Sequence, residues 1–116
     1  MSDTTKITGV IDVIESFRMH DPQMQAQTML AFLYSALLIH KGESVCIKDI
    51  GRLMDCSASS ASRNVKMHTK LNRHREKGTG LLDTKSNPNR ESEKLISLTS
   101  KGRRTIENIT ETFYRE

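Results

Sequence analysis

Between Lys48 and Val65 the chain reads Lys-Asp-Ile-Gly-Arg-Leu-Met-Asp-Cys-Ser-Ala-Ser-Ser-Ala-Ser-Arg-Asn-Val. Ser57, Ser59, Ser60 and Ser62 bring short hydroxyls, and Arg63 and Lys66 bring cations about a turn later. Such groups at such spacings suit hydrogen bonding and ion pairing to base edges and phosphate oxygens. Lys70, Arg73, Arg75 and Lys77 follow, with Glu76 the one acid among them. Each phosphate that such a cation meets adds affinity and steepens the loss of binding with salt. Lys85, Asn87, Asn89, Arg90 and Lys94 then surround a segment without apolar side chains at its tip. An arginine placed there suits the negative potential of a minor groove.

The charge map agrees with this chemistry. The net charge of the 116-residue chain is +4, but residues 48 to 90 hold ten basic and four acidic groups, net +6. The 47 residues before them are net negative and the 26 after them are neutral, so any electrostatic footprint is confined to the middle third. An enzyme is not expected, because there is no glycine-rich phosphate loop, no nucleophile motif and no pair of acids in an apolar setting. His20, His40, His68 and His74 fall at helix ends or on charged faces, where capping or solvation is the expected role. Without Cys-x-x-Cys or His-x-x-x-His spacing, no metal and no cofactor is expected. Cys46 and Cys56 read as reduced core thiols, with a redox switch as the second reading. The absence of a membrane-length apolar run or a secretory leader predicts a soluble, cytoplasmic protein.

The elements that must position these residues follow from periodicity. Ile7, Val10, Ile11, Ile14 and Phe17 recur at spacings of three and four and predict an amphipathic helix over 5–19. Asp21 and Pro22 read as the N-cap and first position of a second helix, which runs to His40 with Gly42 as its stop. That helix is apolar around most of its circumference, and 116 residues supply little to cover it, so a second copy is the expected cover. Val45 to Ile47 favour a short strand.

Ile50, Leu53 and Met54 then face inward from one short helix, Gly51 allows close crossing, and Cys56 fills the turn. Ser57 caps the next helix, expected over about 57–71, which docks through Ala61 and Val65 and leaves Ser59, Ser60, Ser62, Arg63 and Lys66 facing outward. The pattern is that of a helix-turn-helix whose second helix is expected to enter a major groove, with Arg63 the best candidate for reading a guanine or clamping a phosphate, and a plain αα-corner with a solvated serine face as the alternative. Residues 72 to 80 read as a linker. Leu81-Leu82 and Leu95 to Leu98 are two strands joined by the turn signal Asn87-Pro88-Asn89, a wing over 81–98. Thr99 or Ser100 caps a last helix with Ile106, Ile109 and Phe113 on one face. The expected fold is mainly α with a small β-hairpin, a single winged helix-turn-helix domain over 1–116, with the DNA-binding part in 44–98.

Leu98-Thr99-Ser100-Lys101-Gly102-Arg103 resembles the Leu-Thr-x-x-Gly-Arg that leaves the wing in MarR-type winged-helix transcriptional regulators, and Asn87-Pro88-Asn89 lies where that family turns its wing tip. The order of elements agrees from Ile7 to Phe113. The resemblance implies a homodimer whose terminal helices, 5–19 and 99–115, interlock through Ile7, Val10, Ile11, Ile14, Phe17, Ile106, Ile109 and Phe113. It also implies two winged helices on a pseudo-palindromic operator and brings a small-molecule effector as a candidate partner. The sequence departs from the family twice. At the wing positions of the family's Asp-x-Arg it has Arg90 and Ser92, and the stretch from Arg63 to Gly80 is longer than usual and contains the basic run. The expected function is a dimeric, sequence-reading regulator of the repressor kind, and the alternative is a non-specific nucleoprotein scaffold or protein-binding adaptor.

Overall fold

The computed structural model describes residues 2–70 and 77–114. In chain order the elements are α1 (Asp3–His20), α2 (Ala26–His40), β1 (Val45–Cys46), α3 (Ile47–Met54), α4 (Ala58–Lys66), β2 (Leu82–Asn87), β3 (Arg90–Leu98) and α5 (Ser100–Glu111), with a 3-10 turn at Thr112–Tyr114.

Helix boundaries follow local chemistry. Ser2 caps α1 by accepting from the Thr5 N–H. The second helix does not begin at Asp21. The Asp21 N–H bonds back to the Phe17 carbonyl and ends α1, while its carboxylate accepts from the Gln23 N–H at 2.9 Å. Asp21 and Pro22 therefore form a turn, and α2 starts at Ala26. At the other end of α2, Gly42 adopts φ +83°, and the N–H groups of Gly42 and Glu43 return to the carbonyls of Ile39 and Leu38. That pair of bonds is the Schellman arrangement, which needs a left-handed residue at its centre.

The strands form one antiparallel sheet in the order β1-β3-β2. Val45 pairs with Ile96 and Cys46 with Leu95, so β1 extends the hairpin of β2 and β3 to three strands. The core lies between this sheet and the helices and includes Phe17, Phe32, Val45, Ile50, Val65, Leu81, Leu82, Ile96 and Ile109. Phe17 meets Phe32 edge to face, with ring centroids 5.8 Å apart.

Two of the residues expected on a dimer seam, Phe17 and Ile109, are thus core residues of the single chain. Phe113 belongs to the 3-10 turn rather than to a helix, and its ring lies where a Cβ on Gly9 of α1 would have to sit. Ile7, Val10, Ile11 and Ile14 remain exposed along α1. Leu53, expected to face inward from α3, is instead 45 % exposed, and on that helix Ile47 and Ile50 fill the core while Met54 is half-buried. No helix among the described residues is long and apolar enough to cross a membrane.

Candidate nucleic-acid interface

α3 and α4 are joined by a three-residue turn. Asp55 takes the left-handed conformation at φ 52°, and the Cys56 N–H returns to the Gly51 carbonyl. A Cβ on Gly51 would lie 3.5 Å from the Ala61 Cβ and 3.4 Å from the Cys56 carbonyl oxygen, ordinary contact distances, so α3 and α4 meet here with room for a small side chain. Asp49 steadies the start of α3, accepting from the Cys46 N–H at 3.0 Å and its thiol at 3.3 Å and pairing with Arg52. Burial raises the Asp49 pKa, but these donors and the Arg52 charge outweigh it and hold the carboxyl below its ordinary value. Cys46 is buried and Cys56 half-buried, and both are free thiols.

Ser57 caps α4 by accepting from the Ser60 N–H at 3.1 Å. Ala61 and Val65 are fully buried on its inner side. On its outer side Ser59 and Arg63 are exposed, Ser60, Ser62 and Lys66 are half-buried, and Ala58, Ser59, Ser62, Arg63 and Lys66 line a shallow cleft of about 380 Å³. α4 ends at Lys66, five residues short of the expected limit, with Met67 as its C-cap.

The chain then turns inward. The carbonyls of Met67, His68 and Lys70 accept from the N–H groups of Thr79, Leu82 and Gly78. Gly78 lies so close to the carbonyls of Thr69 and Met67 that a Cβ could not fit. Gly78 to Gly80 are therefore packed structure, and the linker expected from 72 to 80 is narrowed by those three residues. Lys70 and Lys77 are exposed where the chain leaves and returns, whereas Leu71, Arg73, His74 and Arg75 lie outside the described residues.

His68 is another departure from expectation, since it is fully buried and not on a charged face. Its Nε2–H donates to the Thr28 carbonyl at 2.7 Å, its Nδ1 lies 3.0 Å from the Thr79 hydroxyl, and its ring stands 5.5 Å from that of Phe32. Burial, opposed by the Thr28 bond and helped by the charge of His20, lowers its pKa to about 4. Sequence reasoning also missed Thr28 and Asn64, a buried pair joined at 2.8 Å.

On the wing, Lys85, Asn89 and Arg90 are exposed. The Asn89 N–H donates to the Asn87 side chain at 2.9 Å and fixes the tip. Glu93 accepts from Arg90 and from Asn87, each at 3.3 Å. Arg90 thus has a carboxylate partner, one that lies after it in the chain and that the sequence did not announce. At the wing's exit Thr99 caps α5 by accepting from the Gly102 N–H, while its hydroxyl donates to the Gly80 carbonyl. Among the described residues no three His, Cys, Asp or Glu side chains gather as a metal site requires.

Neither a protein-family model nor the sequence of a curated protein matches the chain. Solved structures do. It is similar to the RV1404 protein from Mycobacterium tuberculosis, with TM-score 0.63 and 20 % identity over 96 % of this chain and 67 % of that one. A MarR-like transcriptional regulator from Thermotoga maritima gives TM-score 0.60 and 19 % identity over 98 % and 77 %. MarR itself gives 0.55 and 14 % over 91 % and 74 %. The fold is the MarR-type winged helix. In this MarR-type frame α3 and α4 are the helix-turn-helix and β2 and β3 the wing, as expected from the sequence. Between α2 and α5 it carries an apolar groove of about 440 Å³, lined in part by Leu33, Leu37, Leu98 and Ile106.

Proposed function

We propose that the protein is a dimeric, sequence-specific regulator that binds double-stranded DNA and acts as a repressor. One observation carries this reading: α4 buries Ala61 and Val65 and turns a cleft of serines, Arg63 and Lys66 outward from a winged helix. Short hydroxyls near the start of a helix admit it to a major groove, and the guanidinium of Arg63 suits guanine. Lys70 and Lys77, with Arg73 and Arg75 between them in sequence, supply phosphate contacts, and Lys85, Asn89 and Arg90 reach the minor groove from the wing. The exposed stripe of Ile7, Val10, Ile11 and Ile14 supports dimerisation, with Ile106 beside it in role. The groove between α2 and α5 supports an effector site of the kind the resemblance implies.

Selection of bound duplexes from a random pool tests the reading. The expected result is a two-half-site motif bound far more tightly than random duplex at one stated salt. Arg63→Ala should then weaken binding to that motif by about 1 to 3 kcal/mol. A ratio near one between selected and random duplex would leave the scaffold reading in its place.

A further inference from the structure

Asparagine suits adenine in a major groove, and Asn64 stands on α4, the helix proposed to enter one. Its amide nevertheless points inward. The residue is 7 % exposed, its Oδ1 accepts from the Thr28 hydroxyl at 2.8 Å, and its Nδ2 donates to the Ser60 carbonyl at 3.0 Å. Thr28, in the first turn of α2, continues the series by accepting through its carbonyl from His68 Nε2. His68 Nδ1 meets the Thr79 hydroxyl, and the Thr79 carbonyl accepts from the Lys101 ammonium of α5 at 2.7 Å. Hydrogen bonds therefore run without a break from the middle of α4 to α2, to the turn after α4 and to the first turn of α5.

Apolar contact alone fixes such a helix poorly in rotation, because burial is non-directional. Ala61 and Val65 could stay buried while α4 rolled by several degrees. A hydrogen bond has a required distance and angle, so the Asn64–Thr28 bond resists that roll. Breaking it leaves a buried polar atom without a partner, which makes the alternative pose costly.

We propose that Asn64, Thr28 and His68 are positioning residues that set the rotation of α4 and thereby decide which of Ser59, Ser62, Arg63 and Lys66 meets a base edge. This rests on the DNA-reading function above. None of the three touches DNA. Their loss lowers discrimination between sequences and spares the phosphate attraction, which depends on charge and not on helix pose.

The test compares wild type, Asn64→Ala, Thr28→Val and Thr28→Ser for affinity to a selected duplex and to random duplex, with thermal unfolding of each. Alanine favours the helix, which helps Asn64→Ala to fold. Asn64→Ala and Thr28→Val should each lower the ratio of the two affinities by about tenfold, a size usual for coupled neighbours, with random-duplex binding and its salt slope unchanged. Thr28→Ser restores the hydroxyl and should restore the ratio. A purely structural role would lower the melting temperature and leave the ratio of the folded protein as it was. An unchanged ratio in whichever of Asn64→Ala and Thr28→Val folds overturns the proposal, and so does failure of both to fold. A wild-type ratio near one instead defeats the functional reading, so the two failures are separable.

Discussion

The Nε2–H of His68 donates to the carbonyl oxygen of Thr28 across 2.7 Å, joining residues 40 apart in sequence. A ring nitrogen must carry its proton to meet a carbonyl, so Nδ1 of the neutral ring accepts from the Thr79 hydroxyl, which itself accepts from the Leu81 N–H. The neutral tautomer satisfies every partner in the site.

Acid should therefore destabilise the fold through His68. Its pKa is about 4 in the folded chain against 6.5 ordinarily, so between those values the unfolded chain holds the proton and the folded chain does not. The stabilisation is complete above pH 6.5 and is lost as pH falls through this window, by about 3 kcal/mol in total. His20, lowered by burial and by nearby Lys101, acts in the same direction. Urea midpoints measured from pH 7 to pH 4 should fall for wild type and fall less for His68→Gln. Equal slopes would show that His68 carries no part of the effect.

Gly102→Ala should destabilise the protein although alanine favours helices by about 1 kcal/mol. A Cβ at this position in α5 would overlap the Leu81 backbone carbonyl. Backbone cannot yield as a flexible side chain does, so a net loss of about 1 to 3 kcal/mol is expected. Thermal unfolding checks the sign, and a gain in stability would mean that α5 and the start of the wing do not approach each other so closely.

The basic run tests differently from α4. Replacing Arg73, Arg75 and Lys77 together by glutamine should flatten the plot of log affinity against log salt by about 0.9 for each phosphate that is no longer neutralised. The preferred sequence should not change. Titrations at several salt concentrations read the slope, and a slope equal to that of wild type would show that the run does not touch the duplex.

The exposed stripe on α1 predicts the state of assembly. Ile7 is 62 % and Ile11 54 % exposed, and burying such surface contributes about 25 cal/mol per Å². Sedimentation at micromolar concentration should report a dimer for wild type and a monomer for Ile11→Asp. A monomeric wild type would remove the two-half-site arrangement.

Much of the fold is legible in the sequence because local rules and tertiary packing agree. The spacing of Ala61 and Val65, the serine at 57 and the small residue at 51 each have one comfortable place in a helix-turn-helix, and the structure uses all three. Legibility fails where a local pattern fits two outcomes. Asp21-Pro22 can open a helix or close a turn, and the bond from the Asp21 N–H to Phe17 decides between them. Helical spacing puts Leu53 with Ile50 and Met54, but the packing against α3 covers only the side that bears Ile50. His68 looks like one more polar group before a basic run. It follows Ala61 and Val65 at helical spacing, which puts it on their inner side, but its partners Thr28 and Thr79 lie 40 and 11 residues away and are not announced by that spacing. The candidate site is legible in composition, since charge and hydroxyls are local properties, while the inward turn of Asn64 is not.

The closure between Lys70 and Gly78 has an evolutionary consequence. The bonds from the Gly78, Thr79 and Leu82 N–H groups to the chain after α4 join the two strands of the base directly. The ends at Lys70 and Gly78 are thus held together by bonds of their own, and lengthening the chain between two ends already held together adds little entropic cost. An insertion between those ends leaves the bonds of the joint itself in place. In the DNA-reading role proposed above, such a joint would let a lineage change how firmly the protein grips a polyanion while the scaffold keeps its own bonds.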